Sequence, residues 1–71
     1  MIDLSKLKGR IIEKFQHYNR FAEAMKMSTR SLSMKLNGIR EFKPSEIVRA
    51  LELLELTTED VGPYFFTPKV Q

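Results

Sequence analysis

Residues 20–38, which read RFAEAMKMSTRSLSMKLNG, decide the fold because they predict two short helices joined by a tight turn. The first of these helices carries an apolar stripe at helical spacing, formed by Phe21, Ala22 and Met25. We expect the turn at Lys26 and Met27. The spacing therefore indicates a pair of helices that pack through a shared apolar side.

The second helix of the pair has clear start and stop signals. Ser28 is suited to the N-cap, because its hydroxyl can accept a hydrogen bond from an unpaired backbone N–H one turn later. Leu32 and Leu36 are four residues apart and are expected to face inward. Asn37-Gly38 would end the helix, since glycine accepts the left-handed conformation found there.

The outer face of this second helix has no acidic side chain. It consists of short or unbranched residues that are hydrogen-bonding or cationic: Thr29, Arg30, Ser31, Ser33, Met34, Lys35 and Asn37. Such a face, opposite an apolar one, fits the major groove of DNA, where base edges and phosphates meet donors and cations. The alternative is a helical hairpin in a small bundle that has no role in DNA binding.

The same stretch resembles the helix-turn-helix of phage repressors and Cro proteins. The matching residues are Phe21 and Ala22 at the start of the motif, Met27 after the turn, Ser28 at the cap and Leu32 in the second helix. The sequence departs from that family at Lys26, where the family usually has glycine. A positive φ, which is uncommon for residues other than glycine, is then required of Lys26.

The composition indicates a single small domain over residues 1–71. The chain contains no cysteine, so neither a disulfide framework nor a zinc site of the usual kind is expected. The N-terminus lacks the apolar region of a signal peptide, and no apolar run approaches the roughly 20 residues of a membrane span. We therefore expect a cytoplasmic protein with no membrane partner.

Charge is distributed unevenly along the chain. The net charge is +3, but residues 1–43 carry ten Lys and Arg against four Asp and Glu, whereas residues 44–71 carry two against five. The first part, with a net +6, contains the helix expected to read DNA, and the second part has a net −3. This asymmetry favours one face for a polyanion and another for a different partner, unless the charges only cover a solvated surface.

The remaining helices are predicted from apolar periodicity and caps. Residues 3–16 form the first helix, with Asp3 or Ser5 as its cap and a buried stripe of Leu4, Leu7, Ile11 and Phe15. Asn19 would cap the second helix at Arg20. Pro44 opens the fourth helix, whose buried stripe would be Ile47, Val48, Leu51 and Leu54.

The C-terminal part is expected to contain one short helix and a tail. Thr57 and Asp60 are spaced as a capping box, and Gly62-Pro63 would stop the fifth helix. The connector before the fourth helix would be anchored to the core by Ile39 and Phe42. The predicted fold class is therefore all-α: a compact five-helix bundle with a helix-turn-helix in helices 2 and 3 and a short extended tail, residues 64–71.

No enzyme is expected from this sequence. It lacks a glycine-rich phosphate loop, and its acidic residues are not spaced as a catalytic pair. With one histidine, His17, and no cysteine, we expect neither a metal site, a cofactor nor a small-molecule substrate.

Over residues 3–62 the layout resembles the five-helix DNA-binding domain of lambdoid repressors and Cro-like proteins. It is most similar to small Cro-type or modulator-of-repression proteins of temperate phages of Gram-positive bacteria. That closer similarity rests on residues 4–9, 14–15, 21–22, 31–33, 35–37 and 64–66 with Lys69 and Val70. The resemblance implies a transcriptional regulator of the lysis–lysogeny switch.

Two mechanisms follow from this resemblance, and they can coexist. In the first, the protein binds double-stranded operator DNA. The base-reading residues would be Thr29, Arg30, Ser33 and Met34, and the phosphate contacts would be Tyr18, Arg20, Ser28, Ser31, Lys35, Asn37 and Arg40. In the second, an anti-repressor or modulator binds the phage's main repressor, so that the helix-turn-helix surface is partly or wholly a protein-binding surface.

Two details of these mechanisms depend on exposure. Met34 lies opposite Leu32 and Leu36, so we expect it to be exposed in the free protein. In the tail, extended residues alternate sides, so Phe65 would point outward. Either the tail aromatics all complete a thin core, or Phe65 with Val70 contacts a second copy, as a weak homodimer, or the repressor.

Overall fold

The apolar periodicity produces five α-helices in the computed structural model, which describes residues 2–68. They are α1 Ser5–Phe15, α2 Tyr18–Ala24, α3 Thr29–Leu36, α4 Pro44–Leu53 and α5 Val61–Phe65, and a 3-10 turn over Thr58–Asp60 leads into α5. Helix α1 packs against α2 and α5, and α2 packs against α3. The all-α prediction is confirmed, and the extended pairing within residues 2–68 is an isolated antiparallel bridge between Ile2 and Pro68.

Helix α1 begins after Leu4, and Asp3 pairs with the backbone N–H of its first residue. Asp3 Oδ1 accepts hydrogen bonds from the Ser5 N–H at 2.9 Å and the Ser5 hydroxyl at 2.6 Å. Leu7 and Ile11 are fully buried, as the predicted stripe requires. This helix therefore supplies one wall of the core.

The turn between α2 and α3 has the conformation that the family resemblance implied. Lys26 adopts φ 60°, a left-handed conformation that most non-glycine residues avoid. The Met27 N–H donates to the Ala22 carbonyl at 3.0 Å, and the Ser28 hydroxyl accepts from the Ser31 N–H at 3.0 Å, as predicted for the cap. Gly38 ends the pair at φ 77°. These local bonds fix the angle at which α3 leaves α2.

The start of α2 and the buried face of α4 differ from the prediction. Helix α2 begins at Tyr18 with His17 at the cap position and no side-chain cap, so Asn19 does not cap it. On α4, Ala50 is fully buried, whereas Val48 is 56% exposed. A small residue lies at the core here, and the branched Val48 faces outward.

Gly62-Pro63 does not stop the last helix. The capping box is present, because Asp60 Oδ2 accepts from the Thr57 N–H at 2.9 Å. Pro63 then lies in the first turn of α5, where a backbone N–H has no intrahelical partner to lose. The helix runs to Phe65, so the chain leaves the helix at Phe66 and the predicted extended tail does not begin at residue 64.

The core lies where all five helices meet, with Ala50 and Leu51 contributed by α4 and Phe65 by α5. Its largest fully buried side chains are Phe21, Leu7, Ile11, Leu32 and Leu54. Two edge-to-face aromatic contacts at 5.3 Å, Phe15 with Phe21 and Phe42 with Phe65, extend it at either side. Phe42 thus anchors the connector as expected.

Candidate DNA- or protein-binding face

Helix α3 turns a polar surface to solvent, as its sequence predicted. Thr29, Arg30 and Ser33 are exposed, and Met34 is half-buried rather than fully exposed. Residues 29, 30, 33 and 34 share one side of the helix, because 29 and 33, 30 and 33, and 30 and 34 are three or four positions apart. The four residues expected to read bases therefore lie together, and their role remains a prediction.

Most residues expected to contact phosphates are accessible to solvent. Tyr18, Arg20, Ser28, Asn37 and Arg40 are exposed and Ser31 is half-buried. Two of these side chains already have partners: the Ser28 hydroxyl caps α3, and Asn37 Nδ2 donates to Ser33 Oγ at 3.3 Å. These side chains are thus accessible, part of their hydrogen-bonding capacity is used inside the protein, and their contact with phosphates stays a prediction.

Lys35 is the exception, and its expected role needs correction. Its side chain is 8% exposed, and Nζ donates a 2.6 Å hydrogen bond to Glu46 Oε1. Nζ also lies 6.0 Å from the centroid of the Phe42 ring. A phosphate contact would require breaking this buried ion pair. Lys35 therefore joins α3 to α4 instead of presenting a cation to DNA.

Glu46 holds the connector between α3 and α4 through a single carboxylate oxygen. Besides Lys35 Nζ, Oε1 accepts the Lys43 backbone N–H at 2.8 Å. Burial raises the pKa of Glu46, but the hydrogen bonds from Lys35 and Lys43 and the charges of both residues outweigh burial and hold the pKa below its ordinary value. Glu46 is thus charged in the folded protein at neutral pH.

The side chain of Ile39 lies in solvent, so the prediction for it is wrong. It was expected to anchor the connector in the core, yet it is 68% exposed. Its N–H donates to the Met34 carbonyl at 2.9 Å, and the Arg40 N–H donates to the same oxygen at 3.3 Å. The end of α3 therefore presents a large apolar side chain from a hydrogen-bonded backbone, next to Arg40.

The outward aromatic of the C-terminal segment is Phe66 and not Phe65. Phe65 is 3% exposed and packs against Phe42, because α5 continues far enough to direct it into the core. Phe66, 54% exposed, follows the end of the helix. The predicted interface role of Phe65 is therefore wrong, and Val70, its expected companion, lies outside the described residues.

A groove of about 670 Å³ runs between the N-terminal segment, the connector and the end of α5. Its apolar lining includes Ile2, Leu4, Leu36, Phe42, Phe65 and Phe66. Arg40 and Glu41 lie along it as well, so the groove adjoins the end of α3. The molecule thus has two neighbouring surfaces, one polar on α3 and one largely apolar.

Within residues 2–68, no three or more His, Asp or Glu side chains are grouped so that they could hold a metal ion. The same residues contain no helix long and apolar enough to cross a membrane.

Comparison with known proteins identifies relatives of the whole chain. Residues 1–68 match a family described as protein of unknown function, DUF739. The chain is also similar to the solution structure of the modulator of repression (MOR) of the temperate bacteriophage TP901-1 from Lactococcus lactis. The two are 43% identical, with a TM-score of 0.82, over 99% of this chain and 95% of that one. No curated protein matches the sequence.

The predicted similarity to phage modulators of repression is confirmed by this comparison. The resemblance to Cro proteins and lambdoid repressors, and the helix-turn-helix as a DNA-binding motif, stay predictions. Because the family match extends over nearly all of its residues, this chain belongs to the DUF739 family.

Proposed function

We propose that this protein regulates the lysis–lysogeny switch of a temperate phage by binding the phage's main repressor and changing the repressor's hold on DNA. One observation carries the proposal: 43% identity over 99% of the chain to a phage protein described as a modulator of repression. In this role the protein acts in the cytoplasm of the bacterial host and works by binding, without catalysis.

A fold alone does not determine function, so the choice of partner has to be argued from the surface residues. These residues favour a protein as the partner. Lys35 is withdrawn into an ion pair, so Arg30 is the cation that α3 offers to a partner. A DNA-binding face gains most of its affinity from several phosphate contacts. An exposed Ile39 and a half-buried Met34 beside arginines are more typical of the centre of a protein interface.

Binding to operator DNA is the second candidate. It is favoured by the α2–turn–α3 arrangement, in which Thr29, Arg30 and Ser33 are exposed on a helix without acidic residues. In that case Arg30 would pair with a guanine, and Arg20 and Arg40 would contact phosphates. The two candidates differ in whether the protein holds DNA by itself.

The experiment is a gel-shift titration of the phage's regulatory DNA at two salt concentrations, with this protein, the repressor, or both. The proposal predicts no shift by this protein alone even at low salt, and an altered repressor shift when both are present. A direct DNA binder would instead shift the DNA alone, with a log–log salt slope of about −0.9 per neutralised phosphate. That result, with an unchanged repressor shift, would overturn the proposal.

A further inference from the structure

One face of α3 and the residues just after the helix form a surface whose side chains are not needed for the core or for local hydrogen bonds. It consists of Arg30, Met34, Ile39 and Arg40, which we name the α3-end patch. At 68%, Ile39 has the highest exposure among the large hydrophobic residues of the described chain. Burying such a side chain is worth roughly 1.5–3 kcal/mol, so leaving it in water forgoes stability unless a partner covers it.

The exposure of Ile39 is built into the backbone. Gly38 reverses the chain at φ 77°, and the N–H groups of Ile39 and Arg40 both bond to the Met34 carbonyl, at 2.9 and 3.3 Å. Glu46 then fixes the far end of the connector by accepting the Lys43 N–H. A connector tied at both ends presents Ile39 in one orientation, which lowers the entropy lost when a partner binds.

The charge around Ile39 selects the kind of partner. Among residues 2–68, neither Arg30 nor Arg40 takes part in an ion pair, whereas Arg10, Lys14 and Lys35 all do. Helix α3 contains no carboxylate, and Glu41 lies along the neighbouring groove. Two unpaired guanidinium groups beside an apolar centre complement a surface with carboxylates around an apolar recess, because arginine binds carboxylates in bidentate fashion.

From this geometry we infer that the α3-end patch is the surface that binds the repressor, and that the repressor meets it with carboxylates flanking a recess for Ile39. The inference rests on the proposed function. The same patch includes Arg30 and Met34, two of the four residues expected to read bases. Repressor binding and any DNA binding by this protein are therefore mutually exclusive.

The test is isothermal titration calorimetry of the full-length protein with the phage's repressor, using surface variants that leave the core intact. Ile39→Ser should weaken binding roughly tenfold or more, since truncation at the centre of an interface has the largest effect. Val48→Ser is the matched control, because Val48 is a similar exposed side chain on α4. It should bind within about twofold of wild type. Melting temperatures of both variants establish that they fold.

Charge reversal and the neighbouring groove complete the test. Arg30→Glu and Arg40→Glu should each weaken repressor binding and make the remaining affinity less sensitive to salt. If Ile39→Ser and Arg40→Glu bind like wild type while Phe66→Ser does not, the apolar groove binds the repressor and the inference is overturned. If wild-type protein does not bind the repressor at all, the proposed function fails, and the inference fails with it.

Discussion

Replacing Glu46 with alanine would leave the Lys35 ammonium buried without its counter-ion. The Glu46 carboxylate is the partner of Lys35 Nζ at 2.6 Å and also accepts the Lys43 N–H at 2.8 Å. The side chain of Lys35 is 8% exposed, so water cannot replace the lost partner fully. We therefore expect Glu46→Ala to be among the most destabilising single substitutions outside the apolar core.

The size of the effect follows from the burial of the pair. Breaking a buried ion pair by removing one partner costs about 3–5 kcal/mol. Because the Glu46 side chain is 21% exposed, we expect a value near the lower end, about 3 kcal/mol. A domain of this size has a total stability of about 4–11 kcal/mol. At about 4–8 °C per kcal/mol, the melting temperature should fall by roughly 12–24 °C.

The assay is urea and thermal unfolding followed by circular dichroism. Glu46→Gln keeps the acceptor for the Lys43 N–H but removes the charge, so it should lose less stability than Glu46→Ala. A Lys35→Met/Glu46→Leu double variant should recover most of the loss, since apolar replacement of both partners is often neutral or stabilising. If Glu46→Ala costs less than about 1 kcal/mol, or the double variant is no better than the single one, the reasoning is refuted.

Three further perturbations test other parts of the structure. Hydrogen bonds and charges from lysines hold the pKa values of Glu46 and Glu55 below the unfolded value of about 4.3. The two ionised carboxylates therefore stabilise the fold above about pH 4.3, and this stabilisation is lost as the pH falls through their folded pKa values. In urea titrations the free energy of unfolding should therefore drop on acidification below about pH 4.3, and less so for Glu46→Gln. Lys26→Gly should raise the free energy of unfolding by up to about 1 kcal/mol. Glycine removes the cost of φ 60° at this position, and the larger entropy of the unfolded chain offsets part of that gain. A lower melting temperature would contradict this. Phe65→Ala should cost about 3–5 kcal/mol and Phe66→Ala less than about 0.5 kcal/mol, and equal losses in chemical denaturation would show that the two aromatics are not placed as described.

Features determined by neighbouring residues were predictable from the sequence. The Ser28 cap, the capping box of Thr57 and Asp60 and the helix end at Gly38 each depend on a few consecutive positions, and each is present. The left-handed turn at Lys26 followed from the family resemblance, because a residue other than glycine does not signal it by itself.

Features that depend on how elements meet were not predictable in the same way. Lys35 looks like a surface cation on α3, and only the approach of α4 pairs it with Glu46. Phe65 and Phe66 exchange roles because Pro63 is tolerated in the first turn of α5, which shifts which aromatic faces the core. The exposure of Ile39 depends on where the chain goes after Gly38, which apolar spacing cannot specify.

Binding of the repressor through α3 and the connector is tested most directly by NMR on isotope-labelled protein. Amide spectra would be recorded with unlabelled repressor and, separately, with operator DNA at physiological salt. We predict that the repressor shifts the Ile39 and Arg40 signals saturably, while DNA alone leaves them in place. Saturable shifts of Thr29, Arg30 and Ser33 on addition of DNA alone, with no change on addition of repressor, would contradict the account.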